Sequence, residues 1–504
     1  MIENILQALW AFINLKYFLI VSLGTFLGII LGAIPGIGAS TALALFLPFT
    51  FGLDAPMSVL ALISIYGGAE YGGSITAISI NTPGTGGAVA TCLDGYPLTK
   101  KGLMGEALSI SLFASVIGGI ISAIFLLTLA PILADIGLKF GPPETFAMAA
   151  FGLTIIASLS TGNMLKGFLS AGLGLFAASI GIDPISGFPR FVFGISPLTS
   201  GIAMIPVMIG LFALSEAFRM LENPSESQAH ERLEVKNTFR IFLNTLKNIQ
   251  NKLTMAKCMI RASLIGIMVG VIPGAGTSIA AFISYNEERR ASKYPEQFGK
   301  GVLEGVAAPE AANNAVVGGA LVTTLALGIP GSASCAILLG TLMMNDFIPG
   351  PLLFERNPDL TYLLMTGFLM SNFFLLLLGL ILFRSILQII KVKKDILACL
   401  LITICLIGTY AYKNSETDML VMFIFGILGW ILDKIRIQMS PFILAFILGE
   451  MLERNLLSSL LIGQGSYMIF VKKPIALTLI ILAVLSTTFT LLKGRKPSSG
   501  LGSS

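Results

Sequence analysis

The residues best suited to chemistry lie in two stretches of small and polar amino acids set in otherwise apolar sequence. The first reads Tyr66-Gly-Gly-Ala-Glu-Tyr-Gly-Gly-Ser-Ile-Thr76, then Asn81-Thr-Pro-Gly-Thr-Gly-Gly87. The second reads Glu304-Gly-Val-Ala-Ala-Pro-Glu-Ala-Ala-Asn-Asn314, then Gly328-Ile-Pro-Gly-Ser-Ala-Ser334. Ser74, Asn81, Thr82, Thr85, Asn313, Asn314 and Ser332 supply neutral donors and acceptors, while Pro83-Gly84 and Pro330-Gly331 interrupt helices and let backbone amides and carbonyls face a ligand. Half-helices meeting at such a tip turn positive N-terminal ends toward an anion and carbonyl ends toward a cation. The pattern therefore predicts a binding site for a carboxylate with a co-transported cation. The plainer alternative is close helix packing, for which small residues suffice in a membrane. Pro-Gly beside Asn81 and Thr82, written again in the second half, favours the site.

Three carboxylates in these stretches are coupling candidates: Glu70, Glu304 and Glu310. A carboxylate flanked by apolar sequence is a functional suspect. Glu70 has the alternative of snorkelling to the hairpin mouth, Glu304 of lying at the interface, and Glu310 of capping a helix. Bond-breaking chemistry finds little support. His230 is the one histidine and falls in a polar segment, Asp94 and Asp346 fall at segment ends, and no Cys/His cluster has metal-ligand spacing. No catalytic residue, metal ligand or cofactor is expected, and an intramembrane hydrolase is disfavoured. A channel would need a continuous polar pore, against which paired helix breaks argue.

The elements that must hold these residues are membrane spans. The chain has 504 residues, 55% hydrophobic and 12% charged, with a mean hydropathy of +0.87; soluble domains carry roughly 25% charge. At ~20 residues per span, about 11 to 12 segments are long enough to cross or enter a bilayer. Gly32-Ala-Ile-Pro-Gly-Ile-Gly-Ala-Ser40 returns as Gly270-Val-Ile-Pro-Gly-Ala-Gly-Thr-Ser278. Paired breaks in two halves point to a substrate site and add Ser40 and Ser278 to its candidates. The expected fold is an all-α polytopic membrane protein of two inverted repeats with broken helices and re-entrant hairpins. Residues 1–215 form the first repeat, with a hairpin near 58–92. Residues 216–256 form a cytoplasmic linker, partly an amphipathic helix on the lipid surface through Phe239, Phe242, Leu243, Leu246 and Ile249. Residues 257–492 form the second repeat, with a hairpin near 303–345 and C-terminal spans, and 493–504 a tail. Placing the basic linker, Lys100-Lys101 and Lys391 to Lys394 in the cytoplasm makes the two hairpins enter from opposite sides. The small net charge of +5 sits at segment ends, which excludes a nucleic-acid partner. The scattered cysteines read as free thiols, and the N-terminus reads as a retained first helix.

These blocks resemble the large membrane subunit of the tripartite tricarboxylate transporters, the TctA family, from about residue 17 to 475. The most specific phrases are Tyr71-Gly-Gly-Ser-Ile-Thr76 with Asn81-Thr-Pro-Gly-Thr85, Leu93-Asp-Gly-Tyr-Pro97, and Glu304 to Asn314 with Gly328-Ile-Pro-Gly-Ser332. Gly449 to Asn455 with Lys473-Pro474 is similar to the family's C-terminal block. The resemblance implies a multi-pass subunit of the bacterial inner membrane, driven by a cation gradient. It would receive a citrate-like di- or tricarboxylate from a periplasmic binding protein (TctC-like) and work with a small membrane subunit (TctB-like). Na⁺ is the expected coupling ion, with a proton carried by the carboxylates as the alternative. The sequence departs from the family's usual pattern at Glu70, Gly86-Gly87 and Thr323-Thr324.

Overall fold

The computed structural model describes residues 2–158, 164–183, 186–222, 238–249, 251–389 and 393–494. His230, most of the polar linker and residues 495–504 lie outside the described residues. Helix α1 (Ile2–Ala11) precedes α2 (Leu15–Gly32), which the Asn14 side chain caps by accepting from Lys16 N and which stops ahead of Pro35. After the break come α3 (Ala39–Phe46), α4 (Ala55–Ile80, capped by Asp54), α5 (Cys92–Lys100) and α6 (Met104–Gly137). Helices α7 (Pro142–Ser158) and α8 (Met164–Ala178) follow, then two short antiparallel strands, β1 (Gly181–Ile182) and β2 (Pro189–Arg190). A rod from Met204 to Glu222 comprises α9 (Met204–Met208), a π-helical stretch Ile209–Leu214 and α10 (Ser215–Glu222).

The second half begins after α11 (Thr238–Asn248). Helix α12 (Lys252–Val271) stops at the second Pro-Gly pair, and α13 (Gly276–Ala291), α14 (Glu304–Leu327) and α15 (Ala333–Met344) repeat the earlier order. The chain continues through α16 (Pro351–Arg356), α17 (Pro358–Ile389), α18 (Lys394–Lys413), α19 (Glu416–Lys434), α20 (Met439–Ile462), α21 (Met468–Lys472) and α22 (Pro474–Gly494).

The helices group into two units. The first holds residues 1–138 and 205–430, the second 139–204 and 431–504. Within the first unit, α2 lies on α4 and α12 lies on α14. Glycines set both interfaces. A Cβ at Gly28 or Gly32 would sit 2.4 and 2.1 Å from the carbonyl oxygens of Ile65 and Ala69, and one at Gly266 or Gly270 would sit 2.3 and 2.5 Å from those of Ala312 and Val316. Without a hydrophobic force between helices in lipid, such backbone approach is what packing can gain. The halves interlock crosswise: α6 packs against α14, and α17 against α4. The predicted amphipathic helix is α11, whose Phe242 packs edge-on against Phe113 of α6 while Phe239 and Leu243 stay exposed. In the second unit, α7 and α8 pack against α20, and α22 against α7. There Arg190 binds both Asp183, at 3.3 Å, and Glu453.

Among the described residues, six helices are long and apolar enough to cross a bilayer: Leu15–Gly32, Met104–Gly137, Met204–Glu222, Lys252–Val271, Pro358–Leu382 and Lys394–Lys413. Four shorter apolar helices join them, beginning at Ala39, Met164, Ala333 and Pro474. Helices α4 and α14 are long enough, at 26 and 24 residues, but their glycines and polar side chains dilute them. The expected hairpins are also unequal. In the first, the long α4 returns only through a 3-10 turn, Gly86–Val89, and the short α5, whereas in the second α14 returns through the 12-residue α15.

The glycine interfaces generate a test. Gly32→Leu should remove folded protein from detergent extracts, because overpacking against a backbone carbonyl costs about 3 kcal/mol or more. Gly172→Ala in α8, where a Cβ meets nothing within 4 Å, should leave the thermal midpoint unchanged or raise it. Size-exclusion profiles and melting curves read both.

Candidate functional site

Each half builds its tip in the same way. Helix α4 ends in the left-handed residue Asn81 (φ 57°) and α14 in the left-handed Gly328 (φ 70°), and the next amide returns to the same point of its helix: Thr82 N donates to Thr76 O and Ile329 N to Thr323 O, both at 3.3 Å. Pro83-Gly84 and Pro330-Gly331 follow. Gly84 and Gly331 do not themselves have a positive φ; the left-handed turn is made three residues earlier, at Asn81 and Gly328. What Gly84 and Gly331 supply is closeness. A Cβ on Gly84 would fall 1.9 Å from the Gly32 carbonyl oxygen, and one on Gly331 would fall 2.7 Å from Ala320 Cα. Valine there would test packing before it tested binding. Each tip is tied to its own half: Gly84 N donates to Gly73 O at 3.1 Å, Gly331 N to Thr324 Oγ1 at 3.2 Å, and Gly274 N to Gly331 O at 2.9 Å.

Each tip also meets the other half. The first tip packs against α13, and Ser278 Oγ lies 2.7 Å from where a Gly86 Cβ would be. Helix α15 packs against α3, which carries Ser40 in its first turn. Across this crossing, Tyr66 of α4 and Ser332 share a hydrogen bond of 3.0 Å. Ser332 Oγ also accepts from Cys335 N and so caps α15. Asn313 of α14 reaches the first tip, where a Gly87 Cβ would lie 1.8 Å from its Oδ1.

Of the predicted residues, Asn313, Asn314, Glu70, Glu310, Ser74 and Thr85 are buried. Pro330, Gly84 and Gly331 are buried too, while Pro83, Ser40, Ser278 and Ser332 are half-buried. Asn81 and Thr82 are exposed; Thr82 Oγ1 turns back to Ile80 O at 3.3 Å. Ser74 spends its hydroxyl on the Tyr71 carbonyl of its own helix. Glu304, at the start of α14, is half-buried. Glu310 does not cap a helix. It lies in the second turn of α14, fully buried, and accepts from Thr91 and, at 3.0 Å, from Ser115 of α6.

Sequence reasoning gave no role in the site to Tyr66, Thr91, Ser115 or Asp94. Asp94 was placed at a segment end, yet it is fully buried and accepts from the amides of Gly299, Gly301 and Val302 and from Tyr285 Oη at 2.9 Å. It fastens α5 to the turn that leads into α14. The glycines of that turn carried a signal, since Gly299 and Gly301 both have positive φ. At the first break, Arg219 donates to Gly36 O at 3.4 Å and pairs with Glu216.

This arrangement defines a class: a polytopic helical membrane protein in which two interrupted helices and two crossed tips enclose buried polar groups. The chain belongs to the tripartite tricarboxylate transporter TctA family, whose model matches residues 18–444. It is a membrane subunit of that transport system. It is 34% identical over 469 residues, 93% of this chain and 92% of the relative, to an uncharacterized 52.8 kDa protein in the TAR-I ttuC' 3' region of Agrobacterium vitis. A second protein of that organism, in the TAR-II ttuC' 3' region, is 33% identical over 227 residues, 45% of this chain and 94% of the relative.

Two variants probe the crossing. Tyr66→Phe and Ser332→Ala should each lower thermal stability by about 1 kcal/mol, and the double variant by less than their sum, because they remove one shared bond. Additive losses would mean the pair does not interact. Asp94→Ala should destabilise by about 3 kcal/mol, since three amides and the Tyr285 hydroxyl lose their acceptor together.

Proposed function

We propose that this chain carries the substrate path of a bacterial inner-membrane importer for a di- or tricarboxylate. The acid is delivered by a TctC-like periplasmic binding protein, a TctB-like small membrane subunit assists, and Na⁺ enters with it. The two halves, as inverted repeats, would expose the crossed tips to each side in turn. The carrying observation is the pair of helix starts beside those tips. Helices α3 and α13 begin at Gly38 and Ala275 with no side-chain cap, so their first amides keep their donors for a ligand. A Cβ at Gly38 or at the equivalent Gly276 would meet nothing within 4 Å. Uncapped amides with hydroxyls from Ser40, Thr277 and Ser278, open to space, suit a carboxylate. Two such starts suit an acid with more than one.

A charged acid at membrane depth needs compensation beyond helix dipoles, and a bound cation supplies it. Proton coupling is the second reading. It draws on Glu70 and Glu310, which among the described residues form no ion pair.

Uptake into proteoliposomes containing the chain, the small subunit and the binding protein tests both. Saturable uptake driven by a Na⁺ gradient at fixed pH is expected. Ser40→Ala and Ser278→Ala should raise KM about threefold to tenfold, the loss of one hydrogen bond to a charged ligand. Uptake indifferent to Na⁺ but driven by a pH gradient would replace the first reading with the second.

A further inference from the structure

Three buried oxygen atoms around the first tip lack a hydrogen-bond partner: Glu70 Oε2, Thr85 Oγ1 and Asn313 Oδ1. They come from three separate pieces of chain, α4, the first tip and α14. Asn313 and Thr85 both lie near enough to the Glu70 carboxylate to interact with it, as does Thr277 in the first turn of α13. Hydrogen-bonding geometry is nonetheless missing for the three oxygens named.

The amide orientation of Asn313 is set by its other end. Its Nδ2 donates to the Glu70 backbone carbonyl at 3.1 Å. A flipped amide would put oxygen against oxygen there, so Oδ1 is the atom turned to the tip. Two glycines make the room. A Cβ at Gly87 would collide with Asn313 Oδ1 at 1.8 Å, and one at Gly73 would lie 2.5 Å from Thr85 Oγ1. The equivalent residue of the second tip behaves differently: Ser332 Oγ caps α15 and bonds Tyr66, whereas Thr85 caps nothing.

Buried polar atoms without partners are rare and call for an explanation. The carboxylate oxygen of Glu70 and the amide oxygen of Asn313 are acceptors only, and the single hydroxyl hydrogen of Thr85 can serve just one of them. A proton on Glu70 would supply the missing donor, so proton and cation are alternative occupants, which sodium binding at fixed pH separates. A metal cation can be held by all three together. One carboxylate with neutral oxygens balances one positive charge, and an all-oxygen set suits a hard ion.

We propose that Glu70, Thr85 and Asn313 are ligands of a Na⁺ site at the first tip, with Thr277 available as a fourth. This rests on the reading of the chain as a Na⁺-coupled carrier and gives that coupling a location. The site takes its ligands from both halves, so it is complete only while tip and α14 are together. Binding of the ion there would hold the tip closed against Asn313 and, through Thr277 and its neighbour Ser278, order the start of α13. Cation and carboxylate would then tighten each other by the same factor.

The test is binding of radioactive sodium to the full chain in lipid nanodiscs, at fixed pH, with choline as replacement salt and neither substrate nor partner present. Saturable binding is expected in the wild type and none in Glu70→Gln. Asn313→Ala and Thr85→Val should weaken it about tenfold or more, and Thr85→Ser should restore it. Competition by K⁺ should be weaker than by Li⁺. Undiminished binding in Glu70→Gln, or no binding in the wild type, overturns the site. So does equal affinity in Thr85→Val and Thr85→Ser, a comparison that stands even if the charge-removing variant fails to fold. Normal Na⁺ binding with Na⁺-indifferent uptake would keep the site and reject the coupling.

Discussion

Everything in this structure answers to one constraint: backbone amides and carbonyls freed by a helix break must find partners where there is no water to supply them. The chain breaks a membrane-length helix twice, at Pro35-Gly36 and Pro273-Gly274, and each break is held by something brought from elsewhere. Gly274 donates to the Gly331 carbonyl of its own half's tip. The Gly36 carbonyl takes the Arg219 guanidinium. The tips themselves are made possible by glycines that let backbone lie on backbone, Gly84 against Gly32 and Gly331 against Ala320. Breaks, tips and glycine faces are one system, and removing any member strands polar groups of the others.

Much of this could be read from the sequence because its causes are local. Apolar runs of about 20 residues, Pro-Gly pairs and a repeated nine-residue phrase mark spans and breaks without reference to anything distant, and they fall where α2, α3, α12 and α13 lie. Helical spacing of Phe239, Phe242, Leu243 and Leu246 likewise located α11. Composition also singled out the polar stretches that hold Glu70, Glu310, Asn313 and Thr85, because a buried polar residue stands out against apolar neighbours.

What could not be read is pairing across the halves. Tyr66 with Ser332, Thr91 and Ser115 with Glu310, and Asp94 with the amides near Gly299 are each separated by more than 190 residues. No periodicity survives such distances. Asp94 falls at a segment end in the sequence, and only the fold shows the amides converging on it. Asn81 reads as a polar side chain in the sequence, and the fold adds a backbone role for it, the left-handed turn that ends α4. A residue chosen for its φ cannot be told by type from one chosen for its oxygen.

The two breaks are fastened by unlike means, an ion-paired guanidinium at Gly36 and a neutral amide at Gly274. The guanidinium contact is long, 3.4 Å, and made by a partly exposed charge that water and salt screen, while the amide bond is 2.9 Å and carries no net charge to screen. Two copies of one phrase are thus tied down by chemically different knots, so a change in salt or water access would reach the first break and leave the second untouched.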